Sequence, residues 1–193
     1  MGSAASSGSS KWIGCARRAT CEGIYVVAPG RRQPRGGRGG AAVAGILAVR
    51  VRQIMLITRT VEFSASHACY RPELSREENR RLYGESANPH GHGHNYIAEI
   101  TLSGEPDSVT GMVYDLKHLK EILETEIVEP FDHRFLNHEV PPFDRVVPTA
   151  ENIAKDIWRR LSPHFPGPSI RLHSVRLYET RDLFVDCFAE DAG

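Results

Sequence analysis

An α+β layer, an antiparallel sheet covered on one face by two helices, is the fold class this sequence predicts. Three observations carry it. Apolar residues alternate at every second position over 56–65 and 94–103. They recur at helical spacing over 115–128 and 150–161. Two further alternating stretches close the chain at 169–178 and 183–189. Strand pairs before and after two helices fit one sheet with both helices on the same side.

Each element has its own warrant. Leu56–Ala65 places Val61, Phe63 and Ala65 on one face of a strand, and His67 continues that phase. Arg71–Tyr83 is charged and reads as a loop with a short helix. His94–Ser103 puts Tyr96, Ala98, Ile100 and Leu102 on a common face. Gly104–Asp107 has turn chemistry, and Gly111–Tyr114 is expected as a short strand. Leu116, Leu119, Leu123 and Ile127 then predict an amphipathic helix over Asp115–Val128, closed by Pro130. A second helix is predicted at Ala150–Leu161, with Thr149 as N-cap and Glu151 in the first turn. Ser169–Tyr178 and Leu183–Ala189 are the last two strands.

Composition supports a globular body with an extension. Of 193 residues, 40% are hydrophobic and 25% charged, enough for one packed core. Residues 1–53 are Ser-rich and then Arg/Gly-rich, with nine basic residues and one acid. They are expected to be disordered. An upstream extension ahead of Met55 is the favoured reading, over a transit peptide or a basic interaction tail. Subtracting this segment from 24 basic and 24 acidic residues leaves 15 and 23 in 54–193, the expected folded domain. A net acidic domain argues against nucleic-acid binding. No run of 18 apolar residues occurs, which argues against a membrane span. Cys15, Cys21, Cys69 and Cys187 form no CxxC pair and point to a reducing cytoplasm.

The strongest local signal is Asn88-Pro89-His90-Gly91-His92-Gly93-His94-Asn95. In extended chain, residues two apart project to the same side, about 6–7 Å apart. His92 and His94 can therefore face one ion, with the glycines relieving crowding. If the first two strands pair, His67 joins them. Three neutral imidazoles with an open fourth position describe a catalytic Zn2+ site rather than a closed structural one. The bland alternative is a His-rich turn that binds metals adventitiously.

Phe63-Ser64-Ala65-Ser66-His67, Gly91-His92-Gly93-His94-Asn95-Tyr96, Val109-Thr110-Gly111-Met112-Val113, Asp132-His133, Thr149-Ala150-Glu151-Asn152 and Tyr178-Glu179-Thr180 appear in this order. Together they resemble the 6-pyruvoyltetrahydropterin synthase family, which includes bacterial 6-carboxytetrahydropterin synthases. The likeness runs from about Leu56 to Phe188. It implies the tunnelling fold, a four-stranded antiparallel sheet with two helices on one face. It also implies an oligomeric barrel: trimers stacked into a homohexamer, with sites between subunits. The implied activity is a zinc-dependent lyase acting on the pterin 7,8-dihydroneopterin triphosphate. His67, His92 and His94 would hold zinc and Glu179 would grip the pterin ring. Thr149 and Glu151 would support the pocket, and Asp132 with His133 would form the acid/base pair.

One position departs from the family pattern. The family's base is a cysteine six residues before the first histidine of the HGH pair, and that position is Ser86 here. A serine hydroxyl does not abstract a proton without a base of its own. Glu85 ranks first as a replacement, ahead of Ser86 working through His133 and of Cys69. A glutamate base is associated with relatives that cleave the side chain to 6-hydroxymethyl-dihydropterin for folate synthesis. A third reading is a non-catalytic, zinc-holding pterin-binding oligomer.

Overall fold

A computed structural model of the chain describes residues 53–189. The extension expected over 1–53 lies outside the described residues, apart from Gln53. Five strands form one sheet: β1 (Met55–His67), β2 (His92–Gly104), β3 (Arg134–Phe135), β4 (Ile170–Tyr178) and β5 (Phe184–Phe188). The spatial order is β3-β1-β2-β4-β5. The pairs β1–β2, β2–β4 and β4–β5 are antiparallel, whereas β3 runs parallel to β1 at Ala65 and Ser66. The sheet is thus five-stranded and mixed, not the four-stranded antiparallel sheet expected. The added strand is two residues long, too short to leave a period-two pattern.

Alternation divides the sheet into two faces. Phe63 and Ala65 of β1, Tyr96, Ala98, Ile100 and Leu102 of β2, and Leu172, Val175 and Leu177 of β4 are buried in one core. The opposite face carries polar pairs such as Thr58–Thr101 (2.8 Å) and Arg176–Asp186 (2.6 Å). The core is closed by α2 (Leu116–Leu123), lying on β1, and α5 (Ala150–Leu161), lying on β4 and β5. Leu119, Leu123, Ile153 and Ile157 are fully buried there. Two helices on one face is the predicted layer.

The helices start where capping chemistry allows. Thr149 Oγ1 accepts the Asn152 N–H at the head of α5 (3.4 Å), and Asp115 accepts the Lys117 N–H at the head of α2 (2.8 Å). Before β2, α1 (Arg76–Tyr83) opens on a Ser75/Glu78 capping box. Pro130 does not close the second helical segment. After Leu123 it widens into a π turn (Glu124–Val128) and continues as α3 (Glu129–Phe131). The wider turn comes just before Pro130, whose missing N–H would interrupt an ordinary α ladder.

Gly111–Tyr114 is not a strand either. Asp107 Oδ1 accepts the N–H groups of Val109 (3.0 Å) and Thr110 (2.8 Å), winding this stretch into a turn in which Gly111 takes φ +71°. A four-residue helix, α4 (Leu136–Glu139), follows β3 directly.

Candidate metal centre and its pocket

Register brings the histidines together. Antiparallel pairing of β1 with β2 sets His67 opposite His92 and Ala65 opposite His94. His92 is therefore a direct cross-strand neighbour of His67, and His94 a diagonal one on the same face. One nitrogen from each of the three rings lies within 4.8 Å of the others. Ring centroids are 4.4 Å (His67–His92), 4.9 Å (His92–His94) and 5.3 Å (His67–His94) apart.

The surroundings favour neutral rings at His67 and His92. His67 is 1% exposed. Its Nδ1 lies 2.6 Å from the Pro148 carbonyl, an acceptor only, so Nδ1 carries the proton and Nε2 keeps its lone pair toward the other rings. Burial, with smaller opposing and reinforcing effects from Pro148 and from His92 and His94, lowers the His67 pKa from 6.5 to about 4. Burial and His94 lower His92 as well, against a raising influence of Glu179. His92 Nδ1 and His94 Nε2 are buried without a hydrogen-bond partner. Three convergent imidazoles, two of them with an inward, unsatisfied nitrogen, fit a borderline-soft divalent ion such as zinc.

A pocket of about 350 Å³ opens beside the rings. Thr149 and Glu151 reach it from the head of α5, and Glu179 and Thr180 from the end of β4. Glu179 Oε1 stands 3.3 Å from His67 Nε2 and 3.7 Å from His94 Nε2. Tyr96, two residues past His94, is fully buried and places its hydroxyl 3.2 Å from His67 Nε2. Burial and the nearby Glu179 push its phenol pKa upward.

The expected proton-transfer residues are dispersed. Ser86 lines the pocket, and its carbonyl accepts the Cys69 N–H (2.8 Å). Cys69 is buried in the same wall, where burial, Glu179 and Glu151 raise its thiol to about 11. Glu85, ranked first as base, faces away. Its side chain is 90% exposed and paired with Arg80 at 3.0 Å. On the short 3-10 turn Gly84–Ala87 successive side chains point about 120° apart, which explains why only one of these neighbours faces the pocket.

Asp132 and His133 form a pair, with His133 Nδ1 at 2.7 Å from Asp132 Oδ2. The pair is anchored to β1: Asp132 Oδ1 accepts the Ser64 N–H (2.8 Å), and the His133 N–H donates to Ser64 O (2.6 Å). These bonds, that from Ser64 first, hold the Asp132 carboxyl below its usual range. His133 adopts φ +58°, and its side chain is 83% exposed. It lines a neighbouring recess with Ser64, Ser66 and Asn95, which meets the histidine pocket at His94 alone.

The structure therefore gathers His67, His92, His94, Thr149, Glu151, Glu179, Ser86 and Cys69, and leaves Glu85, Asp132 and His133 outside. Sequence reasoning missed the Pro148 carbonyl, which has no side-chain signature, and the Tyr96 hydroxyl, read only as part of an apolar stripe.

Fold and site together define an α+β protein with a three-histidine cluster, able to hold a metal ion, at the end of a strand pair. Residues 56–190 match the family model described as 6-pyruvoyl tetrahydropterin synthase. The chain belongs to that family. It is 46% identical to human 6-pyruvoyl tetrahydrobiopterin synthase over 129 residues, 67% of this chain and 88% of that protein. The Pongo abelii protein of the same name is 47% identical with the same coverage. A 6-carboxy-5,6,7,8-tetrahydropterin synthase of Rickettsia felis is 28% identical, covering 67% of this chain and 96% of that one. Among solved structures, Caenorhabditis elegans 6-pyruvoyl tetrahydropterin synthase superposes with a TM-score of 0.67 at 35% identity. It covers 72% of this chain and 97% of that one. These relatives are named as synthases, and an enzymatic role follows at that level. Among the described residues, no helix is long and apolar enough to cross a membrane.

Proposed function

We propose that this chain is a zinc-dependent pterin lyase that takes 7,8-dihydroneopterin triphosphate to a 6-pyruvoyl tetrahydropterin, eliminating triphosphate. The observation that carries this reading is the convergence of three imidazoles beside Glu179 in one pocket. The pyruvoyl product is preferred over the carboxy product because the relatives at 46–47% identity are named for the former and one at 28% for the latter.

His67, His92 and His94 would hold zinc, which supplies Lewis acidity toward the hydroxyls of the substrate side chain. Glu179 offers a carboxylate that can accept two parallel N–H bonds from a pterin ring, the fork geometry of a bidentate pair. Thr149 and Glu151 shape the wall that receives the ring. Glu151 is held ionised below its usual range, its hydrogen bond from Thr149 being the largest influence.

Proton transfer needs a second subunit in this reading. His133 is exposed, and the Asp132–His133 pair is absent from the lining of its own pocket, so we assign it to the pocket of a neighbouring copy in a homohexamer. There it would polarise Ser86 or move the proton itself. Residues 54–193 form the working unit, 1–53 is an accessory extension, and the cytoplasm is the proposed compartment.

The test is direct. Purified protein with zinc and 7,8-dihydroneopterin triphosphate should yield a new pterin, identified by mass spectrometry. A carboxy product with acetaldehyde, or 6-hydroxymethyl-dihydropterin, would redirect the assignment. Tight pterin binding with no product would replace it with the non-catalytic reading that Ser86 motivates.

A further inference from the structure

The three histidines stand at the ends of two strands, where a sheet constrains its backbone least. The β3 ladder reaches Ala65 and Ser66 and stops one residue short of His67. The chain beyond it is held by a side chain instead. Asn137, in α4, accepts the Ala68 N–H through Oδ1 (2.8 Å) and donates through Nδ2 to the Ala68 carbonyl (2.9 Å). This amide supplies the two hydrogen bonds that a further strand residue would have supplied. Only one orientation of the amide satisfies both groups. Asn137 is 6% exposed and Ala68 fully buried, so water is no substitute partner.

The same segment grips the other histidine strand. The ring of Phe135 packs against Gly91, where an added Cβ would lie 2.8 Å from Phe135 Cε2 and 3.0 Å from the His67 carbonyl. Residues 135–137 thus touch both strands at the end of the pair that carries the ligands. Ala68 sits between His67 and Cys69, both in the wall of the pocket.

We infer that Asn137 is a positioning residue of the metal centre, fixing the backbone beside His67 so that its Nε2 meets the other two imidazoles. The inference rests on the three-histidine metal reading above. Asn79 is the natural control. It accepts the Arg71 N–H (2.7 Å) and donates to the Arg71 carbonyl (2.9 Å), yet that loop borders a different recess.

The experiment measures zinc affinity by chelator competition, with thermal midpoints of the metal-free proteins and the visible spectrum of the cobalt-substituted ones. Asn137→Ser should weaken zinc on the order of tenfold, the low end for loss of an outer-shell partner, and alter the cobalt spectrum. Asn137→Asp keeps the acceptor but loses the donor, and should fall between. Asn79→Ser should lower the midpoint and leave zinc affinity and the cobalt spectrum unchanged. Asn137→Ser with a lower midpoint and wild-type zinc affinity overturns the inference, as does failure of both Asn137 variants to fold at saturating zinc. Wild-type protein that takes up no zinc instead overturns the metal reading itself.

Discussion

Metal-free protein should lose stability on mild acidification, and most of that loss should trace to His67. The ring is buried and neutral, with a folded pKa near 4 against 6.5 for the free side chain. Between these values the unfolded chain binds a proton that the folded one refuses, so stability falls as pH drops through that window. The full difference, 6.5 against about 4, corresponds to about 3.5 kcal/mol, at about 1.4 kcal/mol per pKa unit. At pH 5 about 2 kcal/mol of it is already lost, and the depressed His92 adds in the same direction. Chelator-treated wild type and His67→Gln would be unfolded in urea at pH 7.5 and 5.0, at one protein concentration. The comparison cancels the carboxylates, which titrate lower and are common to both chains. Wild type should lose about 2 kcal/mol more than the variant. Equal losses in the two chains would refute the claim that burial holds His67 neutral.

Three further outcomes follow from the pocket. Glu179→Gln keeps the shape of the side chain but loses the paired acceptor, and should raise KM at least about tenfold while bound zinc, measured by metal analysis, is retained. Ser86→Cys restores a thiol where the family has its base, and should raise kcat about tenfold or more. An unchanged kcat would mean that proton transfer is managed elsewhere. His67→Ala and Asp132→Asn should each be inactive alone yet regain part of the activity in mixed oligomers formed by co-expression. Mixed oligomers with no activity would place both functions within one subunit.

What the sequence disclosed follows from the range of the forces involved. Alternation along 56–65 and 94–103 and the helical spacing over 150–161 are local, and the corresponding elements stand where expected. The departures come where a side chain or a distant segment overrides the pattern. Asp107 draws the backbone of Val109 and Thr110 into a turn, so the apolar Met112-Val113-Tyr114 stretch cannot extend. A widened helical turn carries the chain past Pro130. The β3 strand exists only because Ala65 and Ser66 are there to pair with it.

The same division runs through the site. The three-histidine cluster was legible because its members sit at strand spacing, and strand spacing survives folding. Glu179 and Glu151 were reachable only through family likeness, since a lone carboxylate near a turn or helix head carries no signal of its own. The proton-transfer half depends on contacts between distant segments. Arg80, one helical turn back, draws Glu85 outward, while the Ser86 carbonyl is tied to Cys69 across the pocket wall. Asp132 and His133 are bonded to the Ser64 backbone on β1, and His133 faces a recess that shares only His94 with the histidine pocket. A rigid, exposed acid/base pair on one surface and a pocket lacking such a pair on another are complementary features. Repeating the protomer about a symmetry axis can join them without moving either, which is why the subunit-mixing experiment bears on the mechanism itself.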